Sequence, residues 1–198
     1  MTWDEEFTTM FDRCVGIYRS GNTDFESYYS ENDLKFLRSI GCKTRELFDF
    51  VEDHVDESAP SPTTALLITA VRRDFLHVVQ NGQISEHQIT REDLPSFGDT
   101  LGEIHYLPRI LTKARAKLRG ELDPDIMYCC GGDRKFLREH GIHPADFLRH
   151  VWAADDNDEF GVLVHDLMRT YHHVFPLGPA PCHAGADDGP PGGSHSGD

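Results

Sequence analysis

The 198-residue chain has no apolar run approaching the ~20 residues that a membrane span requires, and its opening, MTWDEEF, lacks the basic start and apolar stretch of a signal peptide. Both absences lead to the expectation of a cytoplasmic protein with no membrane role. Its five cysteines (Cys14, Cys42, Cys129, Cys130, Cys182) are odd in number and form no C-x-x-C, so a disulfide framework is not expected. Positive charge is scarce: 19 Lys and Arg stand against 34 Asp and Glu, a net charge of −15. A surface of that sign repels phosphate backbones and anionic bilayers, which argues against nucleic acid as a partner. No P-loop, dinucleotide fingerprint, nucleophile elbow or zinc signature occurs. No cofactor is therefore implied, and the common nucleotide-handling and hydrolase classes are excluded at motif level.

What is present is a phrase written twice. SYYSENDLKFLRSIG at 27–41 returns as MYCCGGDRKFLREHG at 127–141, an offset of 100. Tyr28/Tyr128, Asp33/Asp133, Lys35/Lys135, Phe36/Phe136, Leu37/Leu137, Arg38/Arg138 and Gly41/Gly141 are identical, where chance supplies about one match in fifteen. Arg13 pairs with Lys113 and Arg19 with Arg119 at the same offset. After a loop four residues longer in the first copy, the match resumes at Arg73/Arg169, His77/His173 and Val78/Val174. The pattern reads as an internal duplication: unit one at 1–80, a polar linker at 81–104, unit two at 105–175, and a Gly/Pro/Asp-rich tail at 176–198 expected to be disordered.

Each unit reads as four helices, and with no alternating strand pattern in competition the expected fold is all-α, two tandem four-helix units packed about a pseudo-two-fold axis. Thr2-Trp3-Asp4-Glu5 is a capping box, followed by Phe7, Met10, Phe11 and Cys14 at helical spacing. Its counterpart runs from Pro108 to Arg119, with Gly120 as a stop. The repeated phrase is a short helix ended by Gly41 or Gly141, and a third helix opens at Thr44 or at His143-Pro144. The fourth follows Ser61-Pro62 in unit one; in unit two Phe160, Leu163, Val164, Leu167 and Met168 form its stripe. Units of about 75 residues bury too little surface to stand alone, so they are expected to pack together.

Leu107-Pro108-Arg109, the run Lys113-Ala114-Arg115, the phrase Tyr128-x-Cys130-x-x-Asp133-x-x-Phe136 and Gly141-Ile142 together resemble a bacterial family catalogued as domain of unknown function 5069. The resemblance covers about a third of the chain. It implies a small helical domain whose polar residues gather around the tyrosine–cysteine phrase, and it brings no established activity. Gly131-Gly132 stand where that family usually has Pro-Leu. Unit one looks like a diverged relative with Ser30 in place of Cys130.

Cys130 precedes two glycines and a helix start, with Arg134 and Lys135 in the first turn, a setting that favours thiolate over thiol. Gly131 and Gly132 let an anionic group approach the backbone, and Asp133, Lys135, Lys113 and Arg109 are the remaining candidate ligand contacts. Tyr128 and Arg138 are the candidate proton donor and oxyanion clamp beside Cys130. Read without function, Cys130 is a small core residue, Asp133 a cap and Arg138 one half of an ion pair between units. The basic helix 107–119 carries Arg109, Lys113, Arg115, Lys117 and Arg119 without an acid, most simply through attraction to the acidic first unit. Twelve histidines include no H-x-x-x-H pair, and His165 and His172 lie too far apart along one helix to share an ion, so no metal is expected. Two readings result. One is a helical accessory or binding protein that takes a small anionic ligand or an acidic protein partner near Cys130. The other is a thiol-dependent enzyme acting on a carboxylate- or phosphate-bearing substrate.

Overall fold

The structure, a computed structural model, describes residues 1–154. Seven α-helices account for most of them: α1 (Trp3–Arg19), α2 (Glu31–Ser39), α3 (Thr44–Glu57), α4 (Pro62–Val78), α5 (Leu107–Arg119), α6 (Gly131–Glu139) and α7 (Pro144–Ala153). Short 3-10 turns occupy Phe25–Tyr28 and Arg91–Asp93. None of these helices is long and apolar enough to cross a membrane.

The caps explain where the helices begin and end. Thr2 N–H donates to Glu5 Oε2 at 2.8 Å, closing the box at the start of α1. Ser30 and Ser61 accept from Asp33 and Thr64 N–H, and His143 Nδ1 accepts from Ala145 N–H at 3.2 Å. Gly41, Gly120 and Gly141 take left-handed conformations at the exits of α2, α5 and α6, where a side chain would be strained. At the offset of 100, α2 and α6 have corresponding bounds, and α3 and α7 both begin at the same step.

The expectation of no strand needs correcting. Thr100–Leu101 (β1) and Ile104–His105 (β2) form an antiparallel two-stranded turn, and Ile89 bridges Leu122. Gly102, at φ 59°, makes that turn possible, and two residues per strand are too few to leave an alternating pattern. The segment 81–104 is also more than a tether. Leu94 is buried, and Ile89 and Asp123 exchange backbone hydrogen bonds with Glu121 and Ile89.

A single core runs through the described residues. α1 packs on α3, α5 on α7, and α4 touches α1, α5 and α7. Phe48 is its aromatic centre in the first half, with the rings of Tyr18, Phe25 and Tyr28 within 5.8 Å. Ion pairs join the halves. Lys117 of α5 pairs with Glu46 of α3, and Arg134 of α6 holds Asp53 at 2.7 Å and also Glu57. Attraction between basic α5 and the acidic first half is thus made through Lys117, while the inter-unit pair anticipated at Arg138 is formed by Arg134. The fourth helix and tail anticipated in unit two, including His165, His172, His173 and Cys182, lie outside the described residues.

Candidate functional site

α5 and α6 meet around one carboxylate. Asp133, in the first turn of α6, is wholly buried, and Lys113 on α5 is 4% exposed. The Lys113 ammonium donates to Asp133 Oδ2 and lies 3.3 Å from Cys130 Sγ. Two more donors complete the carboxylate's shell: Tyr106 OH at 2.8 Å to Oδ1 and Cys129 N–H at 2.9 Å to Oδ2. A buried carboxylate with an ammonium and two further donors is fully satisfied, which a low-dielectric interior demands.

The backbone is bent to achieve this. Cys129 and Tyr106 both have left-handed φ values, 72° and 69°, which non-glycine residues rarely adopt. Such positions persist where the surroundings over-determine them, and here both donate to the same aspartate. At Gly132 an added Cβ would lie 3.2 Å from Tyr106 Oη, so the phenol would have to shift by a few tenths of an ångström. Gly131 and Gly132 are exposed and open α6, ahead of its first backbone bond from Arg134 N–H to Cys130 carbonyl at 2.9 Å. Cys130 is the half-buried N-cap of that helix, and its side chain makes no cap hydrogen bond.

Electrostatics separate the neighbouring groups. Burial first, then the charge and hydrogen bond of Asp133, push the Tyr106 phenol far above its usual range, so it remains a proton donor to the carboxylate. Burial raises the Cys129 thiol to about 12, with Arg134 opposing, and leaves that sulfur inert beside the more exposed Cys130.

Of the residues singled out in the sequence, Lys113, Cys130, Gly131, Gly132 and Asp133 come together. The others go elsewhere. Tyr128 is 1% exposed and donates to the Pro144 carbonyl at 2.8 Å, its phenol pushed well up by burial. Arg138 lines a different cleft, with His143, Gly141 and Ser58. Lys135 is exposed on α6. Arg109 donates to the Pro95 carbonyl at 2.7 Å and covers the ring of Phe97 at 4.1 Å. Phe97 in turn stacks on Tyr106, so Arg109 touches the site through two aromatic rings.

Sequence reasoning missed Tyr106 and Phe97. Tyr106 directly precedes α5 as its N-cap, and an aromatic residue immediately before Leu107-Pro108 was the available signal. Among the described residues no group of three or more His, Cys, Asp and Glu side chains is placed to hold a metal ion. His140 Nδ1 lies 2.8 Å from the Phe136 carbonyl, and His77 Nε2 lies 3.0 Å from that of Ser39.

The equivalent of the buried pair exists in the first half. Arg13 of α1 pairs with Asp33 of α2 at 2.9 Å, at the same offset of 100 as Lys113 and Asp133. There, however, Ser30 N–H and hydroxyl bind Asp33, and Tyr29 is extended at φ −115°. The cation–aspartate pair is therefore common to both halves. The cysteine, the paired glycines, the tyrosine donor and the left-handed turn belong to the second half alone.

This geometry defines a helical domain built on a buried lysine–aspartate pair that holds a cysteine at an open helix N-terminus. Residues 91–172 match the model of a family described as a domain of unknown function, DUF5069. The match takes in Tyr106 and every residue of the site, and covers less than half of the chain. No curated protein and no solved structure matches the chain.

Proposed function

We propose that the chain is a helical binding module that takes a small anionic ligand at the N-terminus of α6, beside Cys130. The observation that supports this most is the 3.3 Å contact between the Lys113 ammonium and Cys130 Sγ at a helix end that exposes Gly131 and Gly132. The positive end of a helix and a neighbouring cation both attract an oxyanion, and two glycines let it reach the backbone. An acidic segment of a protein partner offers the same chemistry. The setting of the reading is a cytoplasmic one. A duplicated ancestral unit, with its copies at 1–80 and 105–175 about a pseudo-two-fold axis, is part of the same proposal; it is supported by the matched α2 and α6 and by the repeated pair Arg13–Asp33 and Lys113–Asp133.

A second reading is thiol chemistry at Cys130 on a carboxylate- or phosphate-bearing substrate, and the left-handed Cys129 favours it, since such backbone gathers at reactive sites.

Alkylation of the full chain, carrying Cys182→Ser, tests both. For binding, the ratio of iodoacetate to iodoacetamide rates at Cys130 is compared with that of a short cysteine peptide. The expected ratio is several-fold higher, and it returns to the peptide value in Lys113→Met with Asp133→Asn, a variant that leaves no lone buried charge. A ratio at or below the peptide's in the parent chain rejects the anion site. For thiol chemistry the absolute rate with neutral iodoacetamide decides: about tenfold above the peptide supports a nucleophile, and parity makes Cys130 only part of the lining.

A further inference from the structure

Away from Cys130, the exit of α2 and the exit of α5 frame a cavity of about 440 Å³. Its charged lining is Lys35, Arg38, Lys43 and Arg72, with no carboxylate among the lining residues.

Arg72, on α4, is the unusual member. It is 1% exposed, and the charge of Glu121 acts on it without forming one of the ion pairs described above. Nη1 donates to two neutral acceptors, Gln80 Oε1 at 2.7 Å and the Leu118 carbonyl at 2.8 Å. Nε is buried without an acceptor. A buried charge ordinarily has a counter-charge, because desolvation is otherwise uncompensated. Gly41 and Gly120 flank the guanidinium, and a Cβ on them would lie 3.1 Å from Arg72 Cζ and 2.6 Å from Arg72 Nη2. Arg72 and both glycines are among the residues lining the cavity. Burial lowers both Arg72, to about 10, and Lys43; Glu121 opposes the first shift and Asp123 the second, while the charge of Arg72 lowers Lys43 further.

The corresponding cleft in the second half, lined by Leu137, Arg138 and Gly141, differs in this respect. Of its two arginines, Arg134 is already neutralised by Asp53 and Glu57, and Arg138 is exposed.

We infer that the cavity between α2, α4 and the end of α5 is a binding site for a small organic oxyanion, its phosphate or carboxylate head held by Arg72, Lys43 and Arg38 and its apolar body on Leu34 and Ile84. Arginine's planar fork suits two oxygens of such a head. Leu34 and Ile84 are 46% and 47% exposed at the mouth, where an apolar body would cover them. This site is separate from Cys130 and does not rest on the reading given for it.

The test is calorimetric titration of the full chain at pH 7 and low salt with inorganic phosphate, phenyl phosphate and benzoate. Saturable binding of at least one aryl anion is expected, with phenyl phosphate tighter than inorganic phosphate. Lys35→Glu with Arg38→Glu, both exposed positions, weakens every anion by about tenfold or more. Ile84→Ser weakens the aryl anions and leaves inorganic phosphate unchanged. Arg72→Met abolishes binding; if that variant does not fold, the double charge reversal decides. No saturable binding up to ~10 mM overturns the site, as does binding indifferent to the double reversal. Cys130→Ser is expected to bind as the parent does, and loss of binding there would move the anion to the other site and reject this one.

Discussion

Replacing Asp133 by alanine leaves Lys113, 4% exposed, without its counter-charge and strips Tyr106 OH and Cys129 N–H of their acceptor. Breaking a buried ion pair from one side costs about 3–5 kcal/mol, because the remaining charge cannot rehydrate. The equivalent change in the first half is milder. Arg13 is 43% exposed and returns to water, so Asp33→Ala forfeits a half-exposed pair of at most ~1 kcal/mol and a capping box of ~1 kcal/mol. Urea unfolding by linear extrapolation is therefore expected to show Asp133→Ala less stable than Asp33→Ala by ~1–3 kcal/mol. Lys113→Met combined with Asp133→Asn is expected to cost less than the two single changes summed, by at least ~1 kcal/mol, since it removes both charges. Equal costs for Asp133→Ala and Asp33→Ala, or strict additivity in the cycle, would mean that water reaches the pair and that the site is not desolvated.

Other outcomes follow from separate parts of the fold. Gly120→Ala is expected to destabilise by about 1–3 kcal/mol, because φ is +74° and the new Cβ lies 2.6 Å from Arg72 Nη2; thermal unfolding unchanged from the parent would show that Arg72 moves freely aside. Phe48→Ala removes the ring shared by Tyr18, Phe25 and Tyr28 and is expected to cost ~3–5 kcal/mol in urea, whereas a cost under ~1 kcal/mol would displace it from the core. Burial raises Asp49 to about 7, against the pull of Arg45 at 2.9 Å. A raised carboxyl binds its proton more tightly in the folded chain, so its contribution is full below about pH 4 and lost as pH rises through about 7. Asp49→Asn is therefore expected to gain stability relative to the parent between pH 5 and pH 8, by ~1–2 kcal/mol after allowance for solvent screening; a pH-independent difference contradicts the shift. Tyr106→Phe is expected to cost ~1 kcal/mol through the lost hydrogen bond, and a neutral result would place the Tyr106–Asp133 contact in water.

Helix existence and many boundaries were legible in the sequence because they are local. The box at Thr2–Glu5, the serine cap before Pro62, and the glycine exits at 41, 120 and 141 each satisfy backbone groups within a few residues. The site was legible only in part, for a geometric reason. Along α6 a residue two positions from Asp133 is turned by about 200° and one five positions away by about 140°, so Lys135 and Arg138 share the repeated phrase without sharing the face of the aspartate. Position 113 is reached from another helix altogether, and its inclusion rested on its charge. Tyr106 escaped notice because the segment before it has no period to read, and only packing of Phe97 and Arg109 reveals that the segment frames the site.

The pair repeated at the offset of 100 adds a comparison that a single copy would lack. Arg13–Asp33 and Lys113–Asp133 join the first and second helices of their respective halves, so the pair by itself argues for scaffold. Function must be sought in what departs from it. In the first half Ser30 closes the helix end with its own hydroxyl and N–H, leaving Asp33 capped locally. In the second, the cap side chain is a thiol that makes no such bond, the N–H is supplied one residue earlier from a left-handed Cys129, and Tyr106 reaches in from the N-cap of α5. Those changes give up a local cap worth about 1 kcal/mol and accept a rare backbone conformation. What they leave in exchange is a half-buried cysteine beside a buried ammonium, and a glycine-opened helix end, which a purely structural turn does not require.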